Sequence, residues 1–196
     1  LEVLKLLSTT SAEISQGEVL QLQHKGEIDM LEETYLKIIS AKTASLFAAA
    51  TKVGSILSNK ENKIKDALEF YGKNLGLTFQ IADDTLDYNS ELKLFGKEIG
   101  NDFYEGKVTL PIILLYQKSN EDEKIKLKEL FKKKDRSVEE FKSILIMIKK
   151  YNIIFECYRK AEHFINLASN SLSIFNKSKE KDMLQGLTSF SLERTF

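Results

Sequence analysis

Cysteine and proline are nearly absent from this sequence: each occurs once among 196 residues. The single cysteine, Cys157, excludes an intramolecular disulfide framework and is typical of a reducing compartment, so we expect a cytoplasmic protein with a buried, inert thiol. Neither charge is in excess, because 29 basic residues balance 29 acidic ones. The sequence lacks the basic surplus that is typical of nucleic-acid-binding proteins, and we expect no nucleic-acid partner.

Long apolar runs and common catalytic groupings are also missing. No stretch approaches the roughly 18–20 apolar residues that a membrane-spanning helix needs. The two histidines, His24 and His163, are far apart, and neither has a cysteine or a second histidine at the spacing of a metal site. Neither is assigned a role, and no Ser/His/Asp or Cys/His arrangement for nucleophilic catalysis is recognisable.

The spacing of apolar residues predicts an all-α fold, because they recur at intervals of three and four without sustained alternation. Helices are predicted over residues 2–22, 28–57, 61–88, 108–118, 121–133, 137–150, 152–174 and 179–193. The only long connection, 89–107, contains three glycines and is predicted to be an ordered loop that faces a ligand. The length favours a single domain over residues 1–196.

Three carboxylates lie close together in FQIADDTLDY, residues 79–88. In a helix, Asp83 and Asp87 share one face, with Asp84 beside them, and the Gln80 amide reaches the same region. Burial of such acids without a counter-charge costs on the order of several kcal/mol, which a divalent cation would remove. Mg²⁺ prefers one or two carboxylates together with waters and phosphate oxygens. The pattern indicates a Mg²⁺–phosphate site, and a solvated acidic face is the alternative.

Three lysines favour the phosphate site. Lys97 and Lys107 each follow a glycine, which allows the backbone to approach a ligand closely. Lys42 and Thr43 lie within a run of small and apolar residues, where a lysine is not expected to be a simple solvated charge. The acids would hold the metal, the metal would bridge phosphate oxygens, and the lysines would neutralise the remaining charge.

Four segments together resemble the all-trans polyprenyl diphosphate synthases. They are GEVLQL (17–22), AKTASLF (41–47), GLTFQIADDTLDY (76–88) and GKEIGNDFYEGKVTLP (96–111). They occur in that family's order and roughly its spacing, and the similarity covers the whole chain but only the C-terminal part of the family's length. The resemblance, which is greatest to the octaprenyl and other long-chain types, implies an isoprenoid-synthase-like helical bundle without its N-terminal helices.

The resemblance also implies roles for individual residues. Asp83, Asp84 and Asp87 would face Mg²⁺ and act in catalysis through the metal. The allylic diphosphate would be bound by Lys42, Thr43, Gln80, Lys97 and Lys107, of which Lys42 and Lys97 would also be catalytic. Arg194 would contact the second substrate. The implied reaction joins isopentenyl diphosphate to an allylic polyprenyl diphosphate in isoprenoid biosynthesis, with quinone side chains as one use of the product.

Small residues surround Lys42 along its predicted helix. They are Ala41, Ala44, Ser45, Ala48, Ala49, Ala50 and Gly54. Such residues are typical of closely packed helices, and in the family they would also leave room for a growing hydrocarbon chain. Both interpretations stay open, and a hydrophobic product makes peripheral membrane contact plausible.

The family's first DDxxD-type motif, the arginine pair after it and the upstream isopentenyl diphosphate site do not occur in this sequence. We therefore expect the C-terminal half of a synthase, whether a truncation, a split-gene product or a relic, that is inactive alone. A homodimer or a complementing N-terminal half is the expected partner. The alternatives are a non-catalytic subunit of a heteromeric synthase and a terpene-cyclase-like enzyme, which Lys42, Thr43 and the Gly-Lys pairs disfavour.

Overall fold

The computed structural model describes residues 1–89 and 99–193, with side chains as far as residue 191. Ten α-helices form most of this part of the chain, which contains no β-strand, and the predicted all-α fold is confirmed. The helices are α1 (Glu2–Gln23), α2 (Glu32–Ile39), α3 (Ser45–Leu57), α4 (Asn62–Leu86), α5 (Asn101–Glu105), α6 (Leu110–Lys118), α7 (Glu121–Lys132), α8 (Val138–Lys150), α9 (Ile153–Ser171) and α10 (Lys179–Glu193). A π-helical turn, Ser40–Ala44, joins α2 to α3, and a 3₁₀ turn, Leu172–Ile174, follows α9. None of the described helices is both long and apolar enough to span a bilayer.

Two predicted element boundaries are wrong, and glycine accounts for both. The predicted helix over 28–57 begins only with α2, because a turn that contains Gly26 at φ +80° separates it from α1. The predicted connection over 89–107 contains α5, which lies between Gly100 at φ +92° and Gly106 at φ +74°. Glycine adopts this left-handed conformation without strain and commonly ends a helix there.

Three later helices begin within two residues of their predicted positions because their first turns carry clear signals. Asn120 and Ser137 each accept a hydrogen bond from the main-chain N–H three residues ahead, and Glu123 and Glu140 return one to the capping residue. These reciprocal pairs satisfy amide groups that the first turn of a helix leaves without partners. Pro111 occupies the first turn of α6, where its missing N–H removes no helical hydrogen bond.

Helix α4 lies at the centre of the fold and packs along both α3 and α9. Its buried Ile81 belongs to the main hydrophobic cluster, which also includes side chains from α2, α6, α8 and α9. A second cluster surrounds Tyr71, whose hydroxyl donates to the main-chain carbonyl of Leu184 at 2.8 Å and so connects α4 to α10. Cys157 is fully buried, as predicted, and burial raises the pKa of its thiol to about 12.

Glycines allow neighbouring helices to approach the π turn closely. A Cβ atom built on Gly17 of α1 would lie 2.6 Å from the main-chain nitrogen of Lys42, and one on Gly76 of α4 would lie 2.7 Å from the Cα of Ala44. Both distances are too short for any larger side chain. Close packing, one of the two interpretations of the small residues, therefore holds around the π turn, which lies between α1 and α4.

Candidate functional site

The end of α4 presents the three predicted acids to three different surroundings. Asp83 is exposed, Asp84 is buried and Asp87, directly after the last residue of α4, is half-buried. Successive residues of an α-helix point about 100° apart. This rotation turns Asp84 towards the core while its neighbour Asp83 faces solvent, so the three acids do not share one environment.

Asp84 is bound by two side chains that approach from different parts of the fold. Tyr35 of α2 donates its hydroxyl to Oδ2 at 2.7 Å, and Gln80 donates its amide to Oδ1 at 2.7 Å. Burial, followed by the negative charge of Asp102, raises the pKa of Asp84 to about 8. The two hydrogen bonds oppose this shift but do not cancel it.

The π turn carries both Lys42 and Thr43 and directs them to different helices. The Thr43 hydroxyl donates to Oε1 of Gln80 at 2.8 Å. This hydrogen bond extends the series that begins at Asp84 to the π turn before α3. Lys42 lies 2.7 Å from the Glu18 carboxylate and donates to Gln21 at 2.7 Å, both on α1. π-helical turns are rare and are frequent at functional sites.

Asp87 holds the start of α5. Its carboxylate accepts main-chain N–H groups from Gly100 at 3.0 Å, Asn101 at 3.1 Å and Asp102 at 2.8 Å. A carboxylate in this position satisfies amide groups that a helix cannot satisfy internally and interacts favourably with the positive end of its dipole. Asp87 therefore fixes α5 to the acidic end of α4.

Asp102 and Lys107 complete the charged region. The Lys107 ammonium lies 3.2 Å from Asp102 and 2.7 Å from Glu105. Burial and then the charge of Asp87 raise the pKa of Asp102, with a smaller contribution from Asp83. The pKa of Glu105 is lowered, first by the hydrogen bond from Lys107 and more weakly by the positive charge of Lys42. Lys42 and Lys107 thus both act on Glu105. Lys107 also pairs with Asp102, one of four aspartates whose negative charges repel one another, the others being Asp83, Asp84 and Asp87.

The chemistry of these groups fits a hard divalent cation and a phosphate. The acids offer only oxygen donors, and burial together with the negative charges of neighbouring acids raises the pKa values of Asp84 and Asp102, which a bound cation would oppose. Within the described residues, no three of the His, Cys, Asp and Glu side chains are arranged to hold a metal ion together. Mg²⁺ needs only one or two carboxylates, and Asp83 is the one most open to solvent.

The structure brings together only some of the predicted site residues. Thr43, Gln80 and Asp84 form one hydrogen-bonded series, whereas Lys97 and Arg194 lie outside the described residues. Their predicted roles, like those of the other site residues, stay predictions.

Four further residues of the site were missed by the sequence reasoning. They are Glu18, Gln21, Tyr35 and Asp102. Glu18, Gln21 and Asp102 lie inside the segments that resemble the family, so this resemblance was a signal that could have identified them. Tyr35 precedes Asp84 by 49 residues and had no such signal.

The comparison with known sequences decides the family. The family model for polyprenyl synthetase matches residues 1–148 of this chain. The chain belongs to the polyprenyl synthetase family. This confirms the resemblance inferred from the sequence.

Individual relatives support the same assignment. The all-trans-nonaprenyl-diphosphate synthase (geranyl-diphosphate specific) of Rhodobacter capsulatus is 33% identical over 192 residues, which are 98% of this chain and 58% of the relative. The octaprenyl diphosphate synthase of Escherichia coli is 42% identical over 113 residues, 58% of this chain and 35% of the relative. A crystal structure of the Caulobacter crescentus polyprenyl synthase, complexed with calcium and isoprenyl diphosphate, superposes with a TM-score of 0.93 at 33% identity. It is matched over all of this chain and 60% of its own, so the chain spans somewhat more than half the length of these polyprenyl synthases.

Proposed function

We propose that this chain forms the diphosphate-binding part of a prenyltransferase that condenses isopentenyl diphosphate with an allylic polyprenyl diphosphate. The series Thr43–Gln80–Asp84–Tyr35 carries the proposal, because it joins the lysine-bearing π turn to the acidic end of α4. Membership of the polyprenyl synthetase family supports it. Allylic and homoallylic isoprenoid diphosphates would be the substrates.

Mg²⁺ is the cofactor that we propose for the end of α4. Asp83 would bind it directly, since this carboxylate is exposed. Asp87 would face the ion and reach it through water, because its oxygens already accept main-chain hydrogen bonds. Asp84 is buried, so its metal role would be indirect, through the hydrogen bond from Gln80. The calcium in the C. crescentus relative supports a hard divalent cation. When bound, Mg²⁺ would neutralise charge on the diphosphate and favour its departure.

Lys42 and Lys107, together with Lys97, would bind the diphosphate oxygens, and Thr43 and Gln80 would orient them. Lys42 and Lys107 are half-buried, and each forms an ion pair, with Glu18 and Glu105 respectively. A bound diphosphate would replace these carboxylates as the partner of each lysine. Fixed positive charges stabilise the negative charge that builds on a leaving group. We therefore expect these lysines to lower the barrier to ionisation.

The proposed reaction begins as the allylic C–O bond breaks and the diphosphate leaves with the bonding electron pair. The double bond of isopentenyl diphosphate attacks the allylic cation, a C–C bond forms and a proton is lost. No protein nucleophile takes part, in agreement with the absence of a nucleophilic triad from the sequence.

A cavity of about 990 Å³ between α1, α2, α3 and α4 supports a hydrophobic product. Its lining includes the small residues Ala41, Ala48 and Ala49 and the larger apolar residues Leu36 and Leu77. We propose that a prenyl chain of medium to long length occupies this cavity and that quinone side chains are one use of it.

The outer face of α1 supports a partner chain. Leu4, Leu7 and Leu22 are exposed there, and exposed apolar surface of this kind is typical of interfaces. We propose that a complementing N-terminal half, or a second copy in a homodimer, covers this face. The chain alone is expected to be inactive, because the first Asp-rich motif is absent from it. Peripheral membrane contact would follow from the hydrophobic product.

The first test measures binding of inorganic pyrophosphate in the presence of Mg²⁺ by calorimetry. Asp83→Ala and Lys42→Ala should each weaken binding about tenfold or more, since each removes a charged contact of roughly 1.5–3 kcal/mol. Asp122→Ala on α7 and Lys118→Ala on α6 make the same chemical changes away from the site and should leave binding unchanged. Equal affinity in all five proteins would refute the assignment.

The second test measures turnover of farnesyl diphosphate and labelled isopentenyl diphosphate, by the chain alone and with a complementing N-terminal half. Elongation only in the mixture is the expected result. If the chain binds Mg²⁺–pyrophosphate and no mixture turns over, the non-catalytic subunit or relic is the better interpretation. A cyclic product would favour the terpene-cyclase-like alternative.

A further inference from the structure

Arg136, in the turn between α7 and α8, contacts the segment that carries Asp102 and Lys107. Its Nη2 donates to the main-chain carbonyl of Phe131 at 2.8 Å, and Nη1 makes a longer contact of 3.5 Å to the carbonyl of Tyr104. Both hydrogen bonds go to main-chain oxygens and not to a carboxylate. The side chain therefore joins the end of α7 to α5.

The guanidinium plane also packs against this segment. It lies 5.0 Å from the centre of the Phe131 ring and 5.7 Å from that of Phe103, within the range of cation–π contacts. A Cβ atom built on Gly106 would lie only 3.0 Å from Nη1, so the guanidinium rests on the glycine that directly precedes Lys107. A Cβ atom would make a tight contact with the guanidinium, so glycine leaves the arginine the most space here.

The segment needs external support, because α5 has only five residues. Isolated helices much longer than this are marginal in water. Asp87 fixes its start, the buried Phe103 fixes its middle, and a hydrogen bond of 3.1 Å from the Gly26 N–H to the Gly106 carbonyl contributes at its end. Arg136 also contacts that end, at the carbonyl of Tyr104 and beside Gly106, the residue that directly precedes Lys107.

We propose that Arg136 is a positioning residue for the diphosphate site: it fixes the end of α5 and thereby holds Lys107 and Asp102 in place, without contacting substrate. This inference rests on the proposed function of the site. Nη1 and Nη2 each contact a main-chain carbonyl, and Nε is buried with no hydrogen-bond partner among the described residues. The guanidinium therefore faces the protein, and we expect it to act through Lys107. Arginine is required because a lysine ammonium has no planar fork to serve two carbonyls while stacking on rings.

Hydrogen exchange of the whole chain measures the positioning directly. Arg136→Met should speed amide exchange in peptides that cover residues 99–109 about tenfold, the effect of one lost hydrogen bond. Peptides from α4 and α8 should change much less. Arg159→Met, the same substitution at an exposed position of α9, is the matched control and should leave residues 99–109 unchanged. Unchanged exchange at 99–109, or equal acceleration throughout the chain, would overturn the proposal.

A double-mutant cycle on Mg²⁺–pyrophosphate binding tests whether the effect passes through Lys107. Arg136→Met should weaken binding about tenfold at a temperature where the chain is folded, and the double variant Arg136→Met/Lys107→Ala should bind no more weakly than Lys107→Ala alone. Losses that multiply would overturn the positioning role. If Arg136→Met does not fold, Arg136→Lys replaces it, with an expected loss of about threefold in both assays, since lysine keeps the charge but has only one nitrogen to serve the two carbonyls.

The outcomes separate this inference from the proposed function. If the wild-type chain does not bind Mg²⁺–pyrophosphate, the proposed function fails and the role of Arg136 in it fails too. If the wild type binds and Arg136→Met binds equally well, only the role of Arg136 is refuted.

Discussion

Replacement of Asp87 by alanine should lower the free energy of unfolding by about 2 kcal/mol, the value of one hydrogen bond to a charged group. The carboxylate accepts three main-chain N–H groups, from Gly100, Asn101 and Asp102. Three such hydrogen bonds at about 1.5–3 kcal/mol each set an upper limit of roughly 4.5–9 kcal/mol. The effect should be much smaller than this limit.

Three features reduce the effect. The Gly100 N–H also donates to the main-chain carbonyl of Asp87 at 2.9 Å, which the substitution preserves. Asn101 is exposed, so water can replace its lost acceptor. Removal of the charge also relieves repulsion on Asp102, whose pKa is raised by burial and then by Asp87. The half-buried Asp102 amide remains, and loss of a helix cap typically costs about 0.5–2 kcal/mol.

Urea unfolding followed by circular dichroism at pH 7 without metal measures this difference. A loss of about 2 kcal/mol corresponds to a fall in melting temperature of roughly 4–8 °C for a chain of this length. Asp83→Ala, the same substitution at an exposed position one turn earlier, should stay within about 0.5 kcal/mol of wild type. The reasoning fails if Asp87→Ala is as stable as wild type, or if Asp83→Ala loses as much.

Three further predictions concern packing, acid stability and thiol reactivity. Gly76→Ala should lower the stability by about 1–3 kcal/mol, because its methyl group would meet the Ala44 backbone, whereas Gly54→Ala, with open space around it, should raise it by about 0.5–1 kcal/mol; thermal melts measure both. The hydrogen bond from the Lys150 side chain is the main cause that lowers the pKa of Glu123 from 4.5 to about 2. The ionised Glu123 therefore stabilises the fold above pH 4.5, and this contribution is lost as the pH falls towards 2. Glu123→Gln should therefore flatten the dependence of the urea midpoint on pH in that window, and an unchanged profile would contradict the assignment. Cys157 should resist iodoacetamide at pH 8 in the folded chain and react quickly in urea, as mass spectrometry can record, because burial raises its pKa to about 12.

Local patterns were sufficient to predict most of the helices and the acidic end of α4. The spacing of Gln80 and Asp84 predicted a shared helix face, and the two side chains are hydrogen-bonded at 2.7 Å. The capping residues Asn120 and Ser137 lie at or next to the predicted helix starts, residues 121 and 137, because their effect extends over only three residues. Interactions within one or two helical turns can be predicted from sequence in this way.

Contacts between distant segments could not be predicted in this way. Tyr35 and Asp84 are separated by 49 residues, and Arg136 and Tyr104 by 32, so neither pair has a periodicity to indicate it. The metal role predicted for Asp87 stays a prediction, but the three main-chain amides of residues 100–102 that its carboxylate accepts were not predicted. Such amides carry no side-chain signature, and only the folded backbone can assign them.

The π turn explains why the packing of the fold and the geometry of the candidate site depend on each other. Lys42 and Thr43 are consecutive, yet one contacts α1 and the other contacts Gln80 of α4. They can do so only because the turn lies between two glycines, Gly17 on α1 and Gly76 on α4, which approach its backbone within distances that no Cβ could occupy. A methyl group at either glycine would move the turn and therefore both side chains. Stability and pyrophosphate affinity should fall together at Gly17 and Gly76, whereas Asp83→Ala should lower the affinity alone.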